Sequence, residues 1–234
     1  MSNALSVAPD DLRRYRGFMR VTYLGHACLL IESDDTRVLI DPGTYSEGFE
    51  SLRDLDAIAV THLHPDHVDP ERFPELARVN PGARLLIEPE AIQALAIGPA
   101  NVFAAGAVTT VGGIRIEAVG GRHASNHDQV SPLGNVGLIL TDSAKLRLFH
   151  PGDSYDETPG DIDVLGLPLS APWCRMSETL DFLRAVKPKV AIPIHDGLLN
   201  EAGHGAYLMH VETFGPAETT ARRLSVGATF DAER

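Results

Sequence analysis

Three histidines and an aspartate fall within six residues of this chain, in the run His62-Leu63-His64-Pro65-Asp66-His67. Imidazole nitrogen and carboxylate oxygen are ligand atoms that zinc, manganese and iron accept, so such a density of them points to a metal site. In an extended segment His62 and His64, two apart, project to the same side. Asp66 and His67 follow the turn expected at Pro65 and can face a second point nearby, so one loop can serve two metals.

Two cations repel each other, and a site for both needs further ligands and an anion between them. His123 follows Val119-Gly120-Gly121, Asp153 stands in His150-Pro151-Gly152-Asp153-Ser154, and His195 ends Val190-Ala191-Ile192-Pro193-Ile194. Each begins a loop after a predicted strand. His127, four residues past His123 in the same loop, competes with it for one ligand position. A divalent cation lowers the pKa of bound water from about 16 to about 7, and a second leaves one ion free to polarise a carbonyl or phosphoryl oxygen. The chemistry expected is hydrolysis by a hydroxide bridging two divalent metals, with Asp66 or Asp153 orienting the nucleophile.

The elements that must carry these residues can be read from apolar patterning and turn residues. Strands are predicted over 21–24, 28–32, 37–41, 56–61, 84–88, 101–104, 108–111, 114–119, 135–141, 146–150, 163–167 and 189–194, with a last one near 223–229. Helices are predicted over 70–78, 89–96, 176–186 and 201–213. The histidine run leaves the strand 56–61. Two β-rich halves, each with helices, argue for stacked sheets with helices outside.

Several other residues adjoin these loops. Asp41 ends a strand before Pro42-Gly43, where it either points into the site or sits in an exposed turn. His26 follows a strand and a glycine and is a candidate substrate contact or partner of a ligand. His150, three residues before Asp153, is a candidate proton donor to the leaving group. Trp173 either walls a substrate pocket or belongs to the core, and Arg122 and Arg175 are candidate anion binders. His204 and His210, in the predicted helix 201–213, read as surface residues, although His204, between two glycines, could line the mouth of the cleft.

The pattern resembles the metallo-β-lactamase superfamily, whose HxHxDH signature is met by His62, His64, Asp66 and His67. The family's later lone histidine, bridging aspartate and C-terminal histidine correspond in order to His123, Asp153 and His195. Tyr23-Leu24-Gly25-His26, Ile40-Asp41-Pro42 and Phe149-His150-Pro151-Gly152-Asp153-Ser154 are similar to the branch containing ascorbate-6-phosphate lactonase. That branch usually has His-Ala-Gly-Asp-Thr where this chain has His-Pro-Gly-Asp-Ser. The resemblance covers roughly residues 20 to 200 and implies an α/β four-layer αβ/βα sandwich. It also implies that His62, His64 and His123 hold one metal and Asp66, His67 and His195 a second, with Asp153 between them. Zinc is the expected metal, with manganese or iron as alternatives.

The chain has 234 residues, 44% of them hydrophobic and 22% charged, which suits one domain with a buried core, residues 1–18 forming an N-terminal extension expected to be flexible. Its net charge of −12 disfavours nucleic acid and anionic membranes as partners. No secretory or membrane-spanning run is evident, and Cys28 and Cys174 are expected as free thiols, so a cytoplasmic location is expected. The expected partner is a small, anionic molecule, an ester, lactone or phosphodiester; a homo-oligomer is expected only by analogy. Two other functions fit the same residues: an iron-containing redox enzyme, and a metal-binding protein without catalysis.

Overall fold

Runs of valine, leucine and isoleucine separated by turn residues produce the strands of this chain, as seen in a computed structural model that describes residues 17–95 and 100–233. One sheet has the order β14-β1-β2-β3-β4-β5-β6. Its strands are β1 (Phe18–Tyr23), β2 (Leu29–Ser33), β3 (Thr36–Ile40), β4 (Ala57–Val60), β5 (Arg84–Ile87), β6 (Asn101–Val102) and β14 (Thr229–Glu233). The other has the order β13-β12-β11-β10-β9-β8-β7. It is built from β7 (Val108–Val111), β8 (Ile114–Gly120), β9 (Val136–Thr141), β10 (Arg147–His150), β11 (Val164–Pro168), β12 (Val190–Ile194) and β13 (Thr220–Ala221).

Side-chain alternation explains how the sheets stack. Val38 and Ile40 face the opposite sheet, where Ile114, Ile116, Leu138, Leu140 and Ile192 meet them. Leu39, between them, turns outward onto a layer with Phe73 and Leu76 of α1 (Phe73–Val79) and Ala91 of α2 (Pro89–Leu95). On the far side Leu165, Leu167 and Ala191 pack under Phe182, Leu183 and Val186 of α3 (Met176–Val186) and Val211 of α4 (Glu201–Phe214). The result is the four-layer αβ/βα sandwich. Its parallel strands are covered on both faces, which is why β4 and β11 are buried at every residue.

Strands β3, β4 and β5 run parallel, as do β10, β11 and β12. Their carboxyl ends open together, and the histidine run, Asp153 and His195 all leave from there. Gly43 makes this packing possible. A Cβ on it would lie 1.7 Å from the Asp66 carbonyl oxygen, so only glycine lets the histidine loop pass so close.

Three expectations are corrected. Residues 222–228 are not a strand; the chain pairs at β13 and again at β14, five residues of which lie against β1. That segment's pattern is weakly apolar, and β14 is placed by its partner rather than by alternation. Phe18, expected in an N-terminal extension over 1–18, instead pairs with Glu233 in β1; residues 1–16 lie outside the described residues. His204 is buried in α4 rather than exposed. Cys28 and Cys174 are free, and no described helix is long and apolar enough to cross a membrane.

Candidate metal centre

Two groups of side chains converge where the sheets' carboxyl ends meet. His62, His64, His123 and Asp153 form one, and His26, Asp66, His67 and His195 the other; within each, the ligand-capable atoms all lie within 4.8 Å of one another. His26, Asp41 and His195 hold positive φ angles of 53, 49 and 54°. Such backbone costs non-glycine residues about 1–3 kcal/mol each and persists only where the surroundings impose it.

The loop between β4 and α1 is fixed before any ligand enters. Thr44 N–H donates to the Pro65 carbonyl at 2.9 Å, Asp69 N–H to Pro42 at 3.0 Å, and His67 N–H to His64 at 2.9 Å. Asp69 then accepts from the Glu71 and Arg72 backbone, and its carboxylate holds the Arg72 side chain at 2.6 Å.

Ring orientation follows from what each Nδ1 touches. His67 Nδ1 lies 2.7 Å from Asp41 Oδ2, and His195 Nδ1 lies 2.8 Å from the Ser170 carbonyl. His123 Nδ1 donates to the Ala124 carbonyl. Thr61 gives its hydroxyl proton to Asp41 at 2.7 Å and so accepts from His62 Nδ1 at 3.0 Å. Each of these four rings, when neutral, carries its proton on Nδ1 and turns an Nε2 lone pair inward. His26 is the opposite case. Gly197 N–H donates to its Nδ1 at 3.2 Å, so the neutral ring's proton sits on Nε2, 3.1 Å from Asp66 Oδ2. His26 is therefore set to hold Asp66 rather than to offer a lone pair.

Asp153 stands between the groups. Its Oδ1 is 3.0 Å from His67 Nε2, and its Oδ2 is 3.1 Å from His195 Nε2 and 3.3 Å from His123 Nε2. Asn135 steadies it, accepting the Asp153 N–H at 3.0 Å and donating to the Pro151 carbonyl at 3.0 Å. Trp173 Nε1–H donates to Oδ2 at 2.9 Å.

Burial pushes His62 well below the usual imidazole pKa, and the adjacent His67 adds to this; His64 moves the same way. For His67 burial opposes the charge, yet the Asp153 and Asp41 carboxylates outweigh it and raise the group. Burial likewise opposes ionisation of Asp66 and Asp153, but His26 and His67 around the first, and His67 and His62 around the second, hold both below the usual carboxylate range. The centre thus presents two ionised carboxylates beside the neutral imidazoles of His62 and His64, while the Asp153 carboxylate raises His67 and His195 toward a protonated form whose proton a divalent cation would displace.

Not every candidate lies in this cluster. His127 is exposed and accepts from Gln129 N–H, whereas His123 is buried with its Nε2 directed at Asp153. The proton-donor reading of His150 is corrected: its ring is fully buried, Nε2 donates to the Ala27 carbonyl at 2.8 Å, and Nδ1 accepts from Gly152 N–H at 3.2 Å. Neither nitrogen is left for a substrate. Arg175 caps α3 with its guanidinium engaged by Glu178 at 2.7 Å, so it is not the unpaired anion binder expected. Trp173 and Arg122 line a cleft beside His123. Asp41 is buried, not in an exposed turn. Sequence reasoning missed Thr61 and Asn135, whose only signal was adjacency to the strand ends that carry His62 and Asp153.

Residues 20–195 match the family described as the beta-lactamase superfamily domain. Protein Rv0786c of Mycobacterium tuberculosis is 40% identical over 190 residues, 81% of this chain and 89% of that protein. A UPF0173 protein of Pyrococcus furiosus is 30% identical over 195 residues, 79% of this chain and 86% of that protein. Among solved structures, Igni18, a metallo hydrolase of Ignicoccus hospitalis, superposes with a TM-score of 0.71 at 19% identity, covering 93% of this chain and 99% of that one. The chain therefore belongs to the metallo-β-lactamase superfamily and, within it, to the UPF0173 metal-dependent hydrolase family.

Proposed function

We propose that this protein is a hydrolase that uses two divalent metal ions to cleave a small ester, lactone or phosphodiester. One observation carries the reading. The Nε2 atoms of His67, His195 and His123 crowd within 3.0–3.3 Å of the two Asp153 oxygens, where the two groups of ligand-capable side chains meet. So many buried imidazole nitrogens converging on one carboxylate fit a site built for ions. His62 Nε2 and His64 Nδ1 lie 3.1 Å apart, near enough to reach one ion together.

His62, His64 and His123 would hold one ion and Asp66, His67 and His195 the other, with Asp153 shared. Bound there, the ions would supply a water ionised at neutral pH and a Lewis acid for the scissile oxygen. The chain's own residues then divide the remaining work. Asp66, the more exposed of the two carboxylates with 24% of its side chain accessible, accepts a hydrogen bond from the attacking water and orients it, while His26 Nε2–H fixes that carboxylate. Asp41 and Thr61 hold His67 and His62 in the tautomer that leaves Nε2 free. Trp173 and Asn135 keep Asp153 in place.

The test is turnover of bis(p-nitrophenyl) phosphate and a small lactone panel, before and after chelation, in wild type and His64→Ala. His64 is only half-buried, so the variant should fold, lose metal and lose chelator-sensitive turnover. Full activity with unchanged metal content in that variant would contradict the scheme.

A further inference from the structure

Beside His123 and Trp173 lies a cleft of about 520 Å³, whose lining includes Arg122, Tyr155, Asp156 and Phe182. Its aromatic wall is preset. Tyr155 stacks on Phe182 with centroids 4.6 Å apart and meets Trp173 edge-on at 5.0 Å. The polar atoms of that wall are already engaged: the Tyr155 hydroxyl bonds the Pro168 carbonyl at 2.7 Å and Thr179 at 2.9 Å, and the Trp173 N–H bonds Asp153. Tyr155 and Trp173, partly exposed over the buried Phe182, therefore offer carbon surface to a guest, which suits a flat apolar group.

Arg122 is the cleft's cation. It also borders a second, smaller cavity lined by His64 and His123, so it stands at the edge of the metal centre on two sides. Among the described residues Arg122 makes no hydrogen bond or ion pair, whereas Arg175 is held by Glu178 at 2.7 Å. The acidic groups across the cleft are partly neutralised: Glu178 by Arg175, and Asp181 by Arg184 at 3.6 Å. A guanidinium with its donors unused, next to an apolar wall and a hydrolytic centre, matches a planar oxyanion.

We infer that this cleft is the substrate subsite, taking molecules that carry an aromatic or similarly flat apolar group together with a carboxylate or phosphate, the oxyanion held by Arg122. The inference deepens the hydrolase reading by naming its substrate class, and its test does not depend on turnover. Trp173 is the chain's only tryptophan, so its fluorescence reports directly on the cleft. Benzylphosphonate and phenylacetate, which are not hydrolysed, should quench it saturably in both chelated and metal-loaded protein. Inorganic phosphate should bind the chelated protein more weakly than benzylphosphonate.

In Arg122→Gln the dissociation constants of both ring-bearing anions should rise about tenfold or more, the loss expected for one charge-assisted contact, while that of benzyl alcohol stays unchanged. Equal affinity in wild type and R122Q overturns the inference. So does tighter binding of benzylamine than of phenylacetate, which would assign recognition to Asp156 and its acidic neighbours. Quenching confined to metal-loaded protein also overturns it, because the anion would then be seated on the ions. Arg122-dependent binding in a protein without chelator-sensitive turnover would sink the hydrolase reading and leave the subsite standing.

Discussion

Replacing Asp41 with asparagine changes no shape and tests whether the second layer of the centre sets its affinity. Asp41 is fully buried and accepts three hydrogen bonds: from Thr61 N–H at 2.8 Å, the Thr61 hydroxyl at 2.7 Å and His67 Nδ1–H at 2.7 Å. An asparagine has one acceptor oxygen, so in either orientation its NH2 faces at least one of those donors. Losing one charge-assisted bond costs about 1.5–3 kcal/mol. At about 2–4 °C per kcal/mol for a chain of this size, the metal-free variant should melt about 3–12 °C lower. Metal affinity should also fall by about 10–100-fold, the usual effect of removing a ligand's supporting hydrogen bond, because His67 loses the acceptor that fixes its tautomer. Stoichiometry should not change, since every ligand remains. Thermal unfolding of chelated protein and a chelator-competition titration measure the two effects. A D41N affinity within twofold of wild type would refute the reasoning.

Trp173→Phe keeps the ring in the cleft but removes the donor to Asp153; metal binding should change by severalfold, with the melting temperature of the metal-free protein little altered, as read by competition titration. Glu88 gives a pH prediction. Burial raises its carboxyl pKa, while the side chain caps α2 by accepting from Glu90 and Ala91 N–H. A group raised on folding favours the protonated native state, so its stabilisation is complete below the unfolded value of about 4.5 and is lost as pH rises through the folded pKa. Glu88→Gln keeps an acceptor for the cap, and its melting temperature should gain on wild type as pH is raised from 4.5 to 7. A constant difference across that range would count against burial as the cause.

The sequence carried the loop ends better than the contacts between them. His62, His64, Asp66 and His67 are adjacent, and His123, Asp153 and His195 each follow a recognisable apolar strand, so their convergence was foreseeable once the sheets were stacked. The role of Asp41 is not legible in the sequence because its partners, Thr61 and His67, lie 20 and 26 residues away. His150 misled for a related reason. Its nearness to Asp153 in sequence suggested a role at the substrate, but the strand's alternation turns it toward the Ala27 carbonyl, and a backbone acceptor leaves no trace in composition. Trp173 showed the same limit: nothing in Ala171-Pro172-Trp173 announces an indole aimed at a carboxylate. Strand β14 escaped because Thr229–Glu233 has little apolar patterning and is defined by its register against Phe18–Thr22.

Elemental analysis of the protein purified without added metal, combined with turnover before and after chelation, tests the central claim most directly. The account predicts close to two equivalents of zinc or manganese per chain and hydrolysis that chelation abolishes and added metal restores. Iron with visible absorbance and no hydrolysis, or a protein that binds no divalent metal at all, would contradict it.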